Sequence, residues 1–227
     1  MTSKEKKIVA VSMLISVFIG GAVLLVLAIK NRSKLRTNKL KDLAKSDLSY
    51  WNGIKETSLA GATKLAEYWK SLGFNYSVDQ LRSPEFQSNN YWSAVYISNL
   101  MKRWGTGEGF KYSPSHSTYI LAGKKALENK DKKAVFYSFP PEKINVSVGD
   151  IIAKTRKAGI NYDNLYAGSP THTDVIYDIE KTDDGYTAFG IGGNVSNTVG
   201  ISKIHLDKQM NLVDPSKYLA VMKNQKT

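Results

Sequence analysis

The chain has 227 residues, 42% hydrophobic and 23% charged, enough for one globular domain with its own core plus an appendage. It holds no cysteine, which excludes disulfides, thiolate metal ligands and a cysteine nucleophile; three scattered histidines (His116, His172, His205) do not suggest a zinc site, so no metal or cofactor is expected. The net charge of +12 is concentrated at one end. Residues 1–46 carry ten Lys/Arg against two acidic residues, which argues against a nucleic-acid-binding face on the rest of the chain.

Residues 1–7 are short and basic, and residues 8–29 follow as 22 positions without a charge. As a helix at about 1.5 Å per residue this run spans roughly 33 Å, a match for the ~30 Å hydrocarbon core. No small-residue cleavage site intervenes before Lys30, so the run predicts an uncleaved single-pass anchor with the lipid membrane as partner. Residues 30–46 read as a basic juxtamembrane linker. Counting Lys and Arg on the two flanks favours a cytoplasmic main domain, although both flanks are basic.

Apolar positions from about 40 to 72 recur at helical spacing and are interrupted by Gly53 and Gly61, which predicts two helices, with Gly73 as the stop. Residues 47–84 therefore form a helical lead-in. The next helix organises the rest. Asn90 can cap it, Trp92, Val95, Tyr96, Leu100 and Trp104 draw an apolar stripe, and it stops near Gly105. Ser113-Pro114 then opens a helix that carries His116, Tyr119, Ile120 and Leu127 and ends near Asn129.

Beyond Lys133 the period changes to that of strands: 134–139, 151–154, 171–180, 186–191, 199–206 and 217–222, with a hairpin turn at Asp183-Asp184-Gly185. Helices first and a mostly antiparallel sheet second predict an α+β domain.

Ser93 falls in the first turn of the organising helix, where the dipole and free amides favour a developing negative charge. His172 begins a strand, and Asp174 shares its face. The hairpin brings Asn194, after Gly192-Gly193, towards His172 on the neighbouring strand. Ser93, His172 and Asn194 thus form a nucleophile, base and orienter set. Each also has a structural reading: Ser93 as a small packing residue, His172 as an edge-of-core histidine, Asn194 as a turn residue and Asp174 as a solvated strand residue.

Five segments carry a resemblance. They are 91–98 (Tyr-Trp-Ser-Ala-Val-Tyr-Ile-Ser), 113–119 (Ser-Pro-Ser-His-Ser-Thr-Tyr), 148–152 (Val-Gly-Asp-Ile-Ile), 171–175 (Thr-His-Thr-Asp-Val) and 191–196 (Ile-Gly-Gly-Asn-Val-Ser). Together they resemble a bacterial family of unknown function that is itself similar to the CHAP and NlpC-type cell-wall amidases of papain-like fold. The resemblance covers residues 85–222. It implies a papain-like domain with Ser93 at the position of the amidases' cysteine, His172 as the base and Asn194 as the orienting residue. A serine is far less acidic than a thiol, so its proton must leave during attack. Trp92, His116 and Asp174 are taken as candidate binding residues, His116 either lining the cleft or belonging to the helix start.

The resulting expectation is a membrane-anchored hydrolase of amide or ester bonds, cutting a peptide of peptidoglycan, with the domain facing the cell wall or periplasm. The alternative is a non-catalytic papain-like domain that binds a peptide, or serves as a structural module at a membrane.

Overall fold

The computed structural model describes residues 27, 28 and 31–226. The expected anchor at 8–29 lies, apart from Leu27 and Ala28, outside the described residues. Among the described residues no helix is long and apolar enough to cross a membrane.

Among the described residues, six α-helices from residue 31 onwards precede the sheet. They are α1 (31–51), α2 (Leu59–Ser71), α3 (Val78–Arg82), α4 (Pro84–Asn89), α5 (Ser93–Trp104) and α6 (His116–Glu128). The basic stretch read as a linker is the first part of α1, where Leu40 and Ala44 are buried. Asp47 near the end of α1 accepts from Tyr96 Oη (3.0 Å) and from two nitrogens of Arg103, which docks α1 along α5. The short helix α3 lies within the helical lead-in but beyond the Gly73 stop, and α4 runs past the lead-in's end; neither is predicted as a separate helix. Ser77 and Gln80 form a reciprocal capping box on α3, and Ser83 with Pro84 starts α4.

The strands are β1 (Phe136–Phe139), β2 (Ile151–Thr155), β3 (Thr171–Lys181), β4 (Tyr186–Val195), β5 (Thr198–Leu206) and β6 (Ala220–Asn224). They form one antiparallel sheet in the order β1-β6-β2-β3-β4-β5. The larger apolar core lies between the helices and one sheet face. It includes Trp51, Trp92, Tyr96, Leu100, Tyr119, Val175 and Ile191. A smaller cluster around Ile152, Ile176, Ile204 and Val221 covers the other face, so the central strands are buried on both sides. This is the α+β arrangement with helices packed on an antiparallel sheet.

The centre of the molecule is α5. Every residue in it except Lys102 and Arg103 is buried. It rests on β4 at Gly193, where a Cβ would lie 2.5 Å from the Cβ of Tyr96 and 2.9 Å from the Trp92 ring. Glycine there lets helix and sheet approach closely. Its neighbour Gly192 does the same on the opposite face, where a Cβ would fall 2.1 Å from Asp174 Oδ1 and 3.0 Å from His172 Nε2. The Gly192-Gly193 pair therefore clears room for the head of α5 on one face and for the His172 pair on the other.

Candidate functional site

Asn90 does not cap α5. Its side chain donates to Phe86 O and closes α4, while Trp92 takes the cap position of α5 without a side-chain cap bond. The first-turn amides of α5 are thus left for something other than a cap. Trp92, expected to bind, is core instead: it stacks on Trp51 with centroids 5.1 Å apart and donates from Nε1 to Glu56 Oε2 at 2.6 Å.

Ser93, the first residue of α5, has its Oγ 2.6 Å from Nε2 of His116. The other ring nitrogen of His116, Nδ1, lies 2.8 Å from Thr173 Oγ1 and also meets the Tyr119 hydroxyl; these two hydroxyls are 2.7 Å apart. The loop before α6 fixes this geometry. Ser98 Oγ donates to Ser113 O (2.8 Å) and accepts from Ser113 N (3.0 Å), tying α5 to the approach of α6. The helix then starts at His116 with Ser115 as its cap residue, two positions later than Ser113-Pro114 suggests.

Burial above all, with the Arg156 guanidinium nearby, holds the His116 imidazole well below its ordinary basicity. It is therefore neutral near pH 7. Burial likewise pushes the Tyr119 phenol up, so it stays protonated.

The structure does not bring His172 to Ser93. Nε2 of His172 faces Asp174 Oδ1 at 3.1 Å, and Nδ1 meets Nη2 of Arg156 at 3.1 Å. Arginine can only donate. Nδ1 must accept, so the ring proton sits on Nε2 and points at the carboxylate. Both nitrogens are engaged and neither is free to take a proton from Ser93. Asp174 also accepts from Ser202 Oγ at 2.8 Å. Burial works to raise its carboxyl, but the bonds from His172 and Ser202, with Lys154 nearby, hold it below the ordinary value.

Asn194 is not joined to His172 by any hydrogen bond among the described residues. It occupies a bulge at the end of β4 with a φ of 56°, a left-handed conformation that asparagine tolerates. Ser196 and Asn197, at φ 54° and 65°, form the tight turn that follows, and this hairpin tip is held by bonds from Lys55 Nζ and Glu56 N. Its conformation gives Asn194 a structural task.

Thr173, Tyr119 and Arg156 join the site without having been singled out in the sequence. Tyr119 follows His116 by three residues on one helix face, a spacing that could have flagged it. Thr173 was hidden as an ordinary strand threonine, and Arg156 lies in a polar loop with no local signal. A cleft of about 370 Å³ opens over the pair, lined by Ser93, His116, Tyr91, Pro114, Pro170 and Arg156 among others. The described residues include no cluster suited to a metal ion.

Fold and site together define an α+β protein with a serine–histidine pair at a helix head, packed on an antiparallel sheet. The chain belongs to the bacterial family described as an uncharacterized protein conserved in bacteria (DUF2272), which matches residues 49–225. The match begins in the last turn of α1 and takes in the lead-in helices as well as the sheet. No curated protein and no solved structure gave a match.

Proposed function

We propose that the chain hydrolyses an amide or ester, with Ser93 as nucleophile and His116 as its base. The observation that carries this reading is the 2.6 Å contact between Ser93 Oγ and His116 Nε2. In the working tautomer Nδ1–H donates to the Thr173 and Tyr119 hydroxyls, leaving Nε2 to accept from Ser93. Ser93 Oγ attacks the acyl carbon as its proton passes to Nε2. The oxyanion forms beside the free first-turn amides of α5, which suit it electrostatically. His116 then gives the proton to the leaving nitrogen or oxygen, and water repeats the cycle on the acyl-serine.

The helix-borne nucleophile facing an antiparallel sheet supports a relation to the papain-like CHAP and NlpC-type amidases, with His116 in the part first assigned to His172. A peptide of the cell wall is the substrate class we propose, with residues 8–29 as a membrane anchor and the domain outside the cytoplasm. One observation favours the second reading, a binding-only module. No carboxylate touches Nδ1 of His116 among the described residues, so an imidazolium would gain no ion pair.

The test is turnover of p-nitrophenyl acetate and of isolated peptidoglycan by the full-length protein. Hydrolysis that falls roughly a thousandfold or more in Ser93→Ala supports the enzyme. Equal background rates with and without Ser93 would leave the binding module.

A further inference from the structure

We infer that Arg156 is a carboxylate-binding residue, and that the cleft takes a ligand whose carboxylate lies within about one residue of the carbonyl presented to Ser93. This assignment of substrate class rests on the hydrolase reading. Arg156 lines the same cleft as Ser93 and His116, and it is the only charged residue in that lining among the described residues, since His116 is neutral. The cleft offers hydroxyls, prolines, a tyrosine and one guanidinium, and no carboxylate.

The guanidinium is held rather than neutralised. Nη2 donates to Nδ1 of His172, whose Nε2–H is fixed by Asp174, which accepts in turn from Ser202. Asp174 is nearly buried, and Gly192 makes space for it. Among the described residues no carboxylate comes within ion-pair range of Arg156. A surface arginine that served only solubility would have no need of a support built on His172 and a buried acid. An arginine oriented through a neutral acceptor keeps its charge available, and its remaining N–H groups match the planar two-pronged geometry of a carboxylate. A phosphate dianion would call for a second cation, and among the described residues the cleft lining holds one guanidinium. A cleft of about 370 Å³ holds little more than a dipeptide, which sets the short distance between carboxylate and carbonyl.

His172 is, on this account, a positioning residue that acts through Arg156. That explains why a histidine and a carboxylate stand beside the serine pair without joining it.

The experiment compares N-acetylalanylalanine with its C-terminal amide, by calorimetry on the full-length protein in mild detergent, with Ser93→Ala to prevent cleavage. The acid form is expected to bind about tenfold more tightly than the amide. Adding Arg156→Gln should abolish that preference, and Arg156→Lys should restore only part of it. Equal affinities for acid and amide, a preference that survives Arg156→Gln, or no binding of the acid at millimolar concentration would each overturn the assignment. So would inorganic phosphate displacing the acid at lower concentration than acetate does. Binding that discriminates as expected, in a protein whose Ser93 form cleaves neither peptide, would overturn the hydrolase reading alone.

Discussion

The rings of His116 and His172 lie 5.4 Å apart, edge to face, yet they belong to two hydrogen-bonded chains that share no bond among the described residues. Strand alternation accounts for the separation. Thr173 points to the helix face of the sheet and meets His116 and Tyr119, while His172 and Asp174 point to the other. One chain ends on the Ser93 hydroxyl, and the other on the Arg156 guanidinium.

The division of labour gives the two histidines different kinetic signatures. His116→Ala should lower kcat to the level of Ser93→Ala, since either change removes the same proton transfer. His172→Ala should leave kcat within about tenfold and raise KM, because it frees Arg156 without touching the serine. Parallel kcat losses from both substitutions would place His172 in the proton-transfer path.

Stability should depend on pH through two buried groups of opposite sign. The His116 ring has a folded pKa well below its ordinary 6.5, so it binds fewer protons folded than unfolded. Its contribution is present above pH 6.5 and is lost as the pH falls, by at most about 1.4 kcal/mol per unit. Asp150 is fully buried beside Lys223, at 3.0 Å, and burial raises its carboxyl from 3.8 to about 6 despite that partner. It binds its proton first in the folded state, so its contribution to stability grows as the pH falls from about 6 towards 3.8. Urea unfolding of the wild type between pH 4 and 6.5 should therefore show a shallow slope. In His116→Gln the slope should tilt towards greater stability at the lower pH. An unchanged slope would mean that His116 is protonated in the folded protein.

The paired glycines are expected to fail in different ways. Gly193→Ala drives a methyl into Tyr96 and Trp92 and should cost about 1–3 kcal/mol by overpacking, with loss of hydrolysis as the head of α5 lifts. Gly192→Ala drives its methyl into Asp174 and His172 and should raise KM as His172→Ala does. Thermal unfolding together with kinetics separates the two, and identical effects on both measurements would contradict the placement of these residues on opposite faces.

Much of this was legible in the sequence because it depends on short-range rules. All six strands follow from alternation and turn residues, and α5 follows from the stripe that begins at Trp92. Its head residue Ser93 was visible for the same reason. Asn90 misled because an asparagine before a helix reads as its cap, while here it closes α4 by donating to Phe86 O, four residues back. Residues 77–89 carried two capping signals, at Ser77 and Ser83, but their helices are too short for a periodicity to register. The choice between His172 and His116 could not be read locally. It is decided by the Ser98–Ser113 bracket, which carries the start of α6 over Ser93, and by Arg156, which occupies the nitrogen His172 would need.

The most direct measurement is the reaction of the full-length protein with a fluorophosphonate, which labels only serines activated as nucleophiles, followed by peptide mass spectrometry. A base-activated serine should give one adduct, on Ser93, that disappears in His116→Ala and persists in His172→Ala. No adduct on Ser93, or labelling that depends on His172 and ignores His116, would contradict the account.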